Sequence, residues 1–295
     1  PVMVDGGNCL TNNSLPVNGV HYLEMAWRDY PDEAYTLDEG FRCHKENLLP
    51  GWGKNQWQLV PDKPIFMGES YYLRGSKPAD FALFGGEACF TGWGTGTRRG
   101  AGIYAKMLAE GYRWQGVAAQ HFWLGGEDAG GLHYNSWKPV ALLCREWNWT
   151  FGAGQTIGRT LRLCNDTRFD DPITATWELR VGGKKVAGAS STERLAPGTQ
   201  RDLTASFTLP KVGQRTAGEF ILTCARGGQE VFREVKPLAV FDPAADAKAS
   251  IAAGQLVVLD PKGSAAARLK ARGVPFQAVA SPAATVRSAS AAADR

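Results

Sequence analysis

Long hydrophobic runs are missing from this sequence, and with them any candidate for a membrane-spanning helix, which needs ~20 continuous apolar residues. A membrane is therefore not an expected partner. Cysteine occurs six times but never as Cys-x-x-Cys, since Cys9, Cys43, Cys89, Cys144, Cys164 and Cys224 stand far apart. That spacing argues against a zinc ribbon or a redox dithiol and leaves buried free thiols as the expectation. Histidine is scarce, 4 in 295 residues, and none is spaced with carboxylates as a ligand set, so neither a metal nor a cofactor is expected. Charge of one sign is lacking too. The 33 basic and 29 acidic residues are interspersed apart from short pairs such as Arg98-Arg99 and Lys184-Lys185, so no stripe suits a phosphate backbone and a nucleic-acid partner is not expected. The glycine-rich run Gly92 to Gly100 follows no clear strand and lacks the Lys-Ser/Thr of a phosphate-binding loop; it reads as a barrel-type loop.

What is present is ample material for a core: 44% of residues are hydrophobic and 11% aromatic. The texture changes twice along the chain. Residues 1–150 read as α/β, with strands expected over 1–5, 17–25, 64–69 and 116–123 and a helix over 101–111, where Ile103, Met107 and Leu108 have near-helical spacing. Residues 151–241 read as short alternating strands, over 160–164, 174–181, 201–209, 219–225 and 230–235. Turn signals at Asn165-Asp166, Gly182-Gly183, Pro197-Gly198 and Gly227-Gly228 separate them. That pattern predicts an immunoglobulin-like β-sandwich, without the Cys-Trp-Cys spacing of an antibody domain. Residues 242–295 read as strand, helix, strand over 255–260, 264–272 and 274–279, the opening of a further α/β unit with an Ala/Ser-rich tail. No phosphate turn or nucleophile elbow appears there. Both ends read as cut, and any signal peptide before Pro1 would be invisible, so localisation and oligomeric state stay open. Of the sequons at Asn12, Asn148 and Asn165, nothing is made.

Two segments carry chemistry. Lys63-Pro64-Ile65-Phe66-Met67-Gly68-Glu69 is a short apolar run that ends abruptly in a carboxylate, and Gly116 to Trp123 is a second run that ends in a large aromatic. Active sites of parallel α/β barrels are built at the C-terminal ends of such strands. A carboxylate and an aromatic on adjacent strand ends suit a sugar-cleaving site.

With these residues in hand, the chain resembles glycoside hydrolases of the large (β/α)-barrel clan, most closely family 2, the β-galactosidase and β-glucuronidase type. The resemblance runs over residues 1 to about 240. Pro1-Val2-Met3-Val4-Asp5-Gly6-Gly7 looks like the fifth barrel strand, Val20-His21-Tyr22 the sixth, Lys63 to Glu69 the seventh and Trp114 to Trp123 the eighth. The turns Asn165-Asp166-Thr167 and Ala196-Pro197-Gly198 look like those of the family's accessory β-domains, and the tail is similar to a flavodoxin-like or amidotransferase-like start. The implied fold is the second half of a (β/α)8 TIM barrel, then an immunoglobulin-like sandwich, then the start of a flavodoxin-like α/β domain. The implied function is retaining hydrolysis of a β-linked hexoside, with a carbohydrate as partner. Carried over residue by residue, Glu69 is the nucleophile, Tyr22 hydrogen-bonds it with His21 nearby, Trp123 supplies a platform for a sugar face, and His121 and Glu127 contact hydroxyls.

The chain departs from the family in one respect: it contains no Asn-Glu pair, the family's mark of the general acid/base. By itself it is expected to turn over little or no substrate, because acid/base assistance contributes ~10² to 10⁴-fold. The alternative reading is a carbohydrate-binding or scaffold protein that uses Trp123 and the aromatic loops. A strand-end Glu, a packed Tyr and structural histidines are the plainer readings of Glu69, Tyr22, His21 and His121. Residues 1–150 in isolation are expected to aggregate or pair with a second copy, and the sandwich to fold normally.

Overall fold

The computed structural model describes residues 16–21, 63–70, 103, 106–107, 109–114, 116–122, 134–242 and 256–279. The strand expected over 1–5 lies outside them. Strands β1 (Asn18–His21), β2 (Ile65–Ser70) and β3 (Ala119–Phe122) form a parallel sheet in that order. β1 and β3 fall within segments expected to be strands, and β2 runs one residue past its expected segment, to Ser70. Among the described residues this sheet has three strands and does not close on itself. Among the described residues, 103, 106–107 and 109–114 are helical, so the helix expected over 101–111 is found at those positions and continues to Trp114.

Eight further strands fold as a β-sandwich. In chain order they are β4 (Val140–Cys144), β5 (Thr150–Gly152), β6 (Thr156–Asn165), β7 (Ile173–Val181), β8 (Lys184–Glu193), β9 (Thr199–Thr208), β10 (Thr216–Arg226) and β11 (Gln229–Phe241). One sheet runs β4-β6-β9 and the other β5-β11-β10-β7-β8. Alternation puts Ile173, Ala175, Leu179 and Val181 of β7 on the inner face, where they are buried. Between the sheets Trp149 stacks on Phe220 at 5.6 Å, Phe207 meets Phe220 at 5.6 Å, and Trp177 meets Phe207 at 5.8 Å. Each large side chain removed from water there contributes about 1.5–3 kcal/mol. The Gly182-Gly183 and Gly227-Gly228 turns join β7 to β8 and β10 to β11 with φ between 56° and 79°. These are two-residue hairpin loops whose twist matches the strands.

Three of these strands lie outside the segments expected from the sequence. In β4 all five residues are buried, so Val-Ala-Leu-Leu-Cys shows no alternation to read. β5 has three residues and pairs in parallel with the end of β11. β8, Lys-Lys-Val-Ala-Gly-Ala-Ser-Ser-Thr-Glu, is poor in apolar residues and is a strand because its turn folds it back on β7. The sandwich therefore reaches back past residue 151 to Val140.

The Asn165-Asp166-Thr167 turn is a buried hub. The Asn165 amide donates to the carbonyls of Phe169 (2.8 Å) and Leu195 (2.9 Å), and its oxygen accepts from the Thr167 hydroxyl (2.6 Å) and Arg226 (3.1 Å). Fully enclosed and bonded on both sides, this side chain is no glycan acceptor in the folded chain. Cys144, Cys164 and Cys224 are free and buried, and burial pushes their thiols up to about 12, 11 and 12. The tail folds as β12 (Val257–Leu259), a helix at Ser264–Ala271 and β13 (Gln277–Val279), with the two strands parallel. Among the described residues no helix is long and apolar enough to cross a membrane.

Candidate active site

The parallel sheet brings three of the expected site positions, His21, Glu69 and His121, to one edge. Its strands share a direction, so His21, Glu69 and the His121-Phe122 pair all stand at C-terminal strand ends. His21 is the register partner of Glu69, while Val20 pairs with Met67, so Gly68 has no opposite number on β1. The same happens on the other side: Met67 pairs with Gln120 and Ser70 with Phe122, leaving Gly68 and Glu69 against the single residue His121. β2 thus carries one extra residue at Gly68-Glu69 relative to both neighbours. A bulge of this kind bends the strand and re-aims a side chain, and bulges concentrate beside active sites. The His121 side chain is exposed. Tyr22, Trp123 and Glu127 lie outside the described residues.

The helical segment that leads into β3 is held by the sandwich. It ends in a Schellman arrangement: the Val117 N–H donates to the Tyr112 carbonyl (2.9 Å) and the Gly116 N–H to that of Arg113 (3.1 Å), with Gly116 at φ 78°. The sandwich caps the same end. Gln200 donates to the Arg113 carbonyl (2.8 Å), and Arg162 donates to the Trp114 carbonyl while its guanidinium lies 4.3 Å from the Trp114 ring centre. A cation at a helix C-terminus is favoured by the aligned peptide dipoles. Arg113 in turn donates to the Ser136 carbonyl and pairs with Asp166 at 2.8 Å. From there Val117 and Ala118 lead into β3, and the Ala118 N–H donates to the Ile65 carbonyl of β2 (2.9 Å).

One turn earlier, this segment and β11 share a buried charge cluster. The Lys106 ammonium lies 2.8 Å from Glu234 and 3.3 Å from Glu110, and the Lys236 ammonium 3.9 Å from Glu110 and 4.5 Å from the Trp147 ring centre. The Ser136 hydroxyl and the Asn135 amide donate to Glu110 (3.4 Å) and Glu234 (2.8 Å). Burial alone would push Glu234 up, but Lys236 and Lys106 outweigh it and hold the carboxyl below its usual value. Burial likewise works against the charge on Lys106, and Glu110 and Glu234 hold it above its usual value. Two carboxylates and two ammonium groups balance one another, with Glu110 only 2% exposed. The cluster is a clasp between the segment and the sandwich.

The tail's helix N-terminus is filled by the chain itself. The Asp260 carboxylate accepts from the Ala266 N–H at 2.9 Å, and the N–H groups of Ala266, Ala265, Lys262 and Gly263 hold it below the usual carboxylate range. A phosphate would compete for those same amides.

Sequence reasoning singled out Glu69 but missed the bulge beside it. A lone glycine inside an apolar strand run, Gly68, is the signal that points to one. The clasp went unforeseen because Lys106 and Glu110 sit on a helix whose described residues 106, 107 and 109–114 are all buried, whereas charged residues ordinarily mark a solvent face.

No family model and no curated protein matches the chain. Among solved structures it is similar over 35% of its length to a β-glucuronidase from glycoside hydrolase family 2, at 11% identity and a TM-score of 0.26. It is similar over 36% to a β-glucosidase from Listeria innocua in complex with gluconolactone, at 12% identity and a TM-score of 0.28. The sporulation control protein Spo0M from Bacillus subtilis matches over 35% of this chain and 48% of its own length, at 15% identity and a TM-score of 0.26. The chain spans 11% and 16% of the two glycosidases' own lengths. At such TM-scores these likenesses decide neither fold nor function.

Proposed function

We propose that this chain is part of a retaining glycoside hydrolase acting on β-linked hexosides, with Glu69 as its nucleophile. The observation that carries the reading is the bulge at Gly68-Glu69, at the C-terminal end of a parallel strand with His21 in register beside it. In this reading residues 1–150 belong to a (β/α)8 barrel, β1, β2 and β3 are its sixth, seventh and eighth strands, and residues 242–295 begin a flavodoxin-like domain. The Glu69 carboxylate attacks the anomeric carbon, forming a glycosyl ester as the bond to the leaving oxygen breaks. A second carboxylic acid protonates that oxygen and then, as a base, takes a proton from the water that cleaves the ester. That group is supplied from outside residues 1–295, about 5–5.5 Å from Glu69. Tyr22 and His21 keep Glu69 ionised and oriented, Trp123 stacks against the sugar face, and His121 and Glu127 bind hydroxyls.

The test is intact mass spectrometry after incubating a longer protein that includes the upstream strands, and separately this chain, with 2-deoxy-2-fluoro glycosides. An ester mapped to Glu69 in the longer protein, absent from this chain, is the expected result. If no sugar in the panel labels the folded longer protein, Glu69 is not a nucleophile, and the sheet edge is better read as a carbohydrate-binding surface.

A further inference from the structure

The sandwich is open along one side. Among the described residues β8 and β9 are the last strands of their sheets and do not pair with each other. Cross-strand register places Ala187, Ala189 and Ser191 of β8 opposite Leu179, Trp177 and Ala175 of β7, so over these positions β8 offers only small side chains to the inner face, and beyond them Glu193, opposite Ile173, pairs with Arg201 of β9. The unfilled space is a cleft of about 350 Å³. Its floor is Leu142, Leu161, Ala175 and Trp177, and its walls are residues 189–191 of β8 and 202–204 of β9.

Two polar side chains of those walls are engaged away from the cleft. The Ser190 hydroxyl is shared with Thr176 (2.9 Å) on the outer face of its sheet. The Asp202 carboxylate accepts two bonds from Arg162 (2.6 and 2.7 Å) on the outer face of the other. Toward the cleft the walls turn Leu203, the register partner of Leu161, with Ala189 and Ser191, the partners of Trp177 and Ala175, and along the rim each edge strand carries its outward row of N–H and C=O groups. The result is a slot with an apolar, indole-bearing floor between two polar edges.

We infer that this cleft is a binding site for a single pyranose ring, separate from the strand ends of the parallel sheet. A pyranose has that same distribution: an apolar C–H face to lie on Trp177 and a rim of hydroxyls to bond both strand edges. The volume lies at the lower end of the range for small-molecule sites, which suits one ring rather than a long glycan. The site is independent of the chemistry proposed at Glu69, and either assignment stands without the other.

The test is a titration of the full 295-residue chain with methyl β-glucopyranoside and methyl β-galactopyranoside, followed by NMR at the Trp177 indole N–H. The resonance is assigned with Trp177→Phe. One or both hexosides should shift it saturably, and Ala189→Leu, which fills the cleft from an exposed edge position, should weaken that binding at least about tenfold. Ser191→Val, tested in parallel, narrows the same slot if the first variant folds poorly. The inference is overturned if neither hexoside shifts the resonance, or if the shift survives in a folded Ala189→Leu or Ser191→Val chain. A response only to a blocked apolar tripeptide also overturns it and makes the slot a groove for an added strand.

Discussion

Glu234 shows how a single carboxylate holds two parts of the chain together. It accepts from Lys106 and Asn135 and is 12% exposed, so its removal leaves a largely buried ammonium with less compensation. Glu234→Gln should cost about 3 kcal/mol near neutral pH, read from the urea midpoint. The sign with pH follows from the lowered carboxyl. A group whose folded value lies below its unfolded one stabilises the fold above the unfolded value, near 4.5, and that contribution is lost as pH falls through the folded value. The stability gap between the native chain and Glu234→Gln should therefore be widest above pH 5 and close on acidification. A gap that is constant with pH would mean that Glu234 does not titrate as part of the clasp.

At the level of elements, the helix end before β3 depends on one residue in the left-handed region. Among the described residues a Cβ on Gly116 would meet nothing within 4 Å, so Gly116→Ala tests its left-handed conformation. The expected loss is about 1–2 kcal/mol, the cost of a left-handed L-residue, in a chemical-denaturation curve with unchanged slope. A much larger loss would indicate that the turn also sets how the segment docks on Arg162 and Gln200. The elements differ in how far sequence reveals them. β7 and β10 have alternating inner residues and double-glycine turns beside them, and both features are local. β8 has neither an apolar stripe nor strong strand formers through Ala187-Gly188-Ala189-Ser190-Ser191, and only its pairing with β7 makes it a strand. The site divides the same way: the apolar run ending in Glu69 is legible, but the extra residue at Gly68-Glu69 appears only once both neighbouring strands are in register.

Across the whole molecule, the sandwich is not the self-contained piece that a boundary at residue 151 implies. β4 supplies five buried residues to the three-stranded sheet, and Trp114 from the helical segment belongs to the same core. A fragment of residues 151–241 loses β4 and the start of β5, which removes several contributions of about 1.5–3 kcal/mol from a domain with ~5–15 kcal/mol in total. That fragment should show no cooperative thermal transition, whereas residues 101–242 should melt cooperatively. A cooperative melt of 151–241 would show that the sheet tolerates the loss of its edge strand.

The amino-acid sequence alone determined the features that depend on neighbours along the chain. These are the α/β, then all-β, then α/β texture, the double-glycine hairpins, the strand-helix-strand tail and the carboxylate that closes the Lys63–Glu69 run. Tertiary structure decided which strands share a sheet, where the sandwich begins, that Lys106, Glu110, Glu234 and Lys236 are buried together, and that β2 bulges beside His21. The physical reason is range. Turn conformation and side-chain alternation are set within a few residues, whereas burial of charge, register and edge status depend on partners tens of residues away, which no local pattern records.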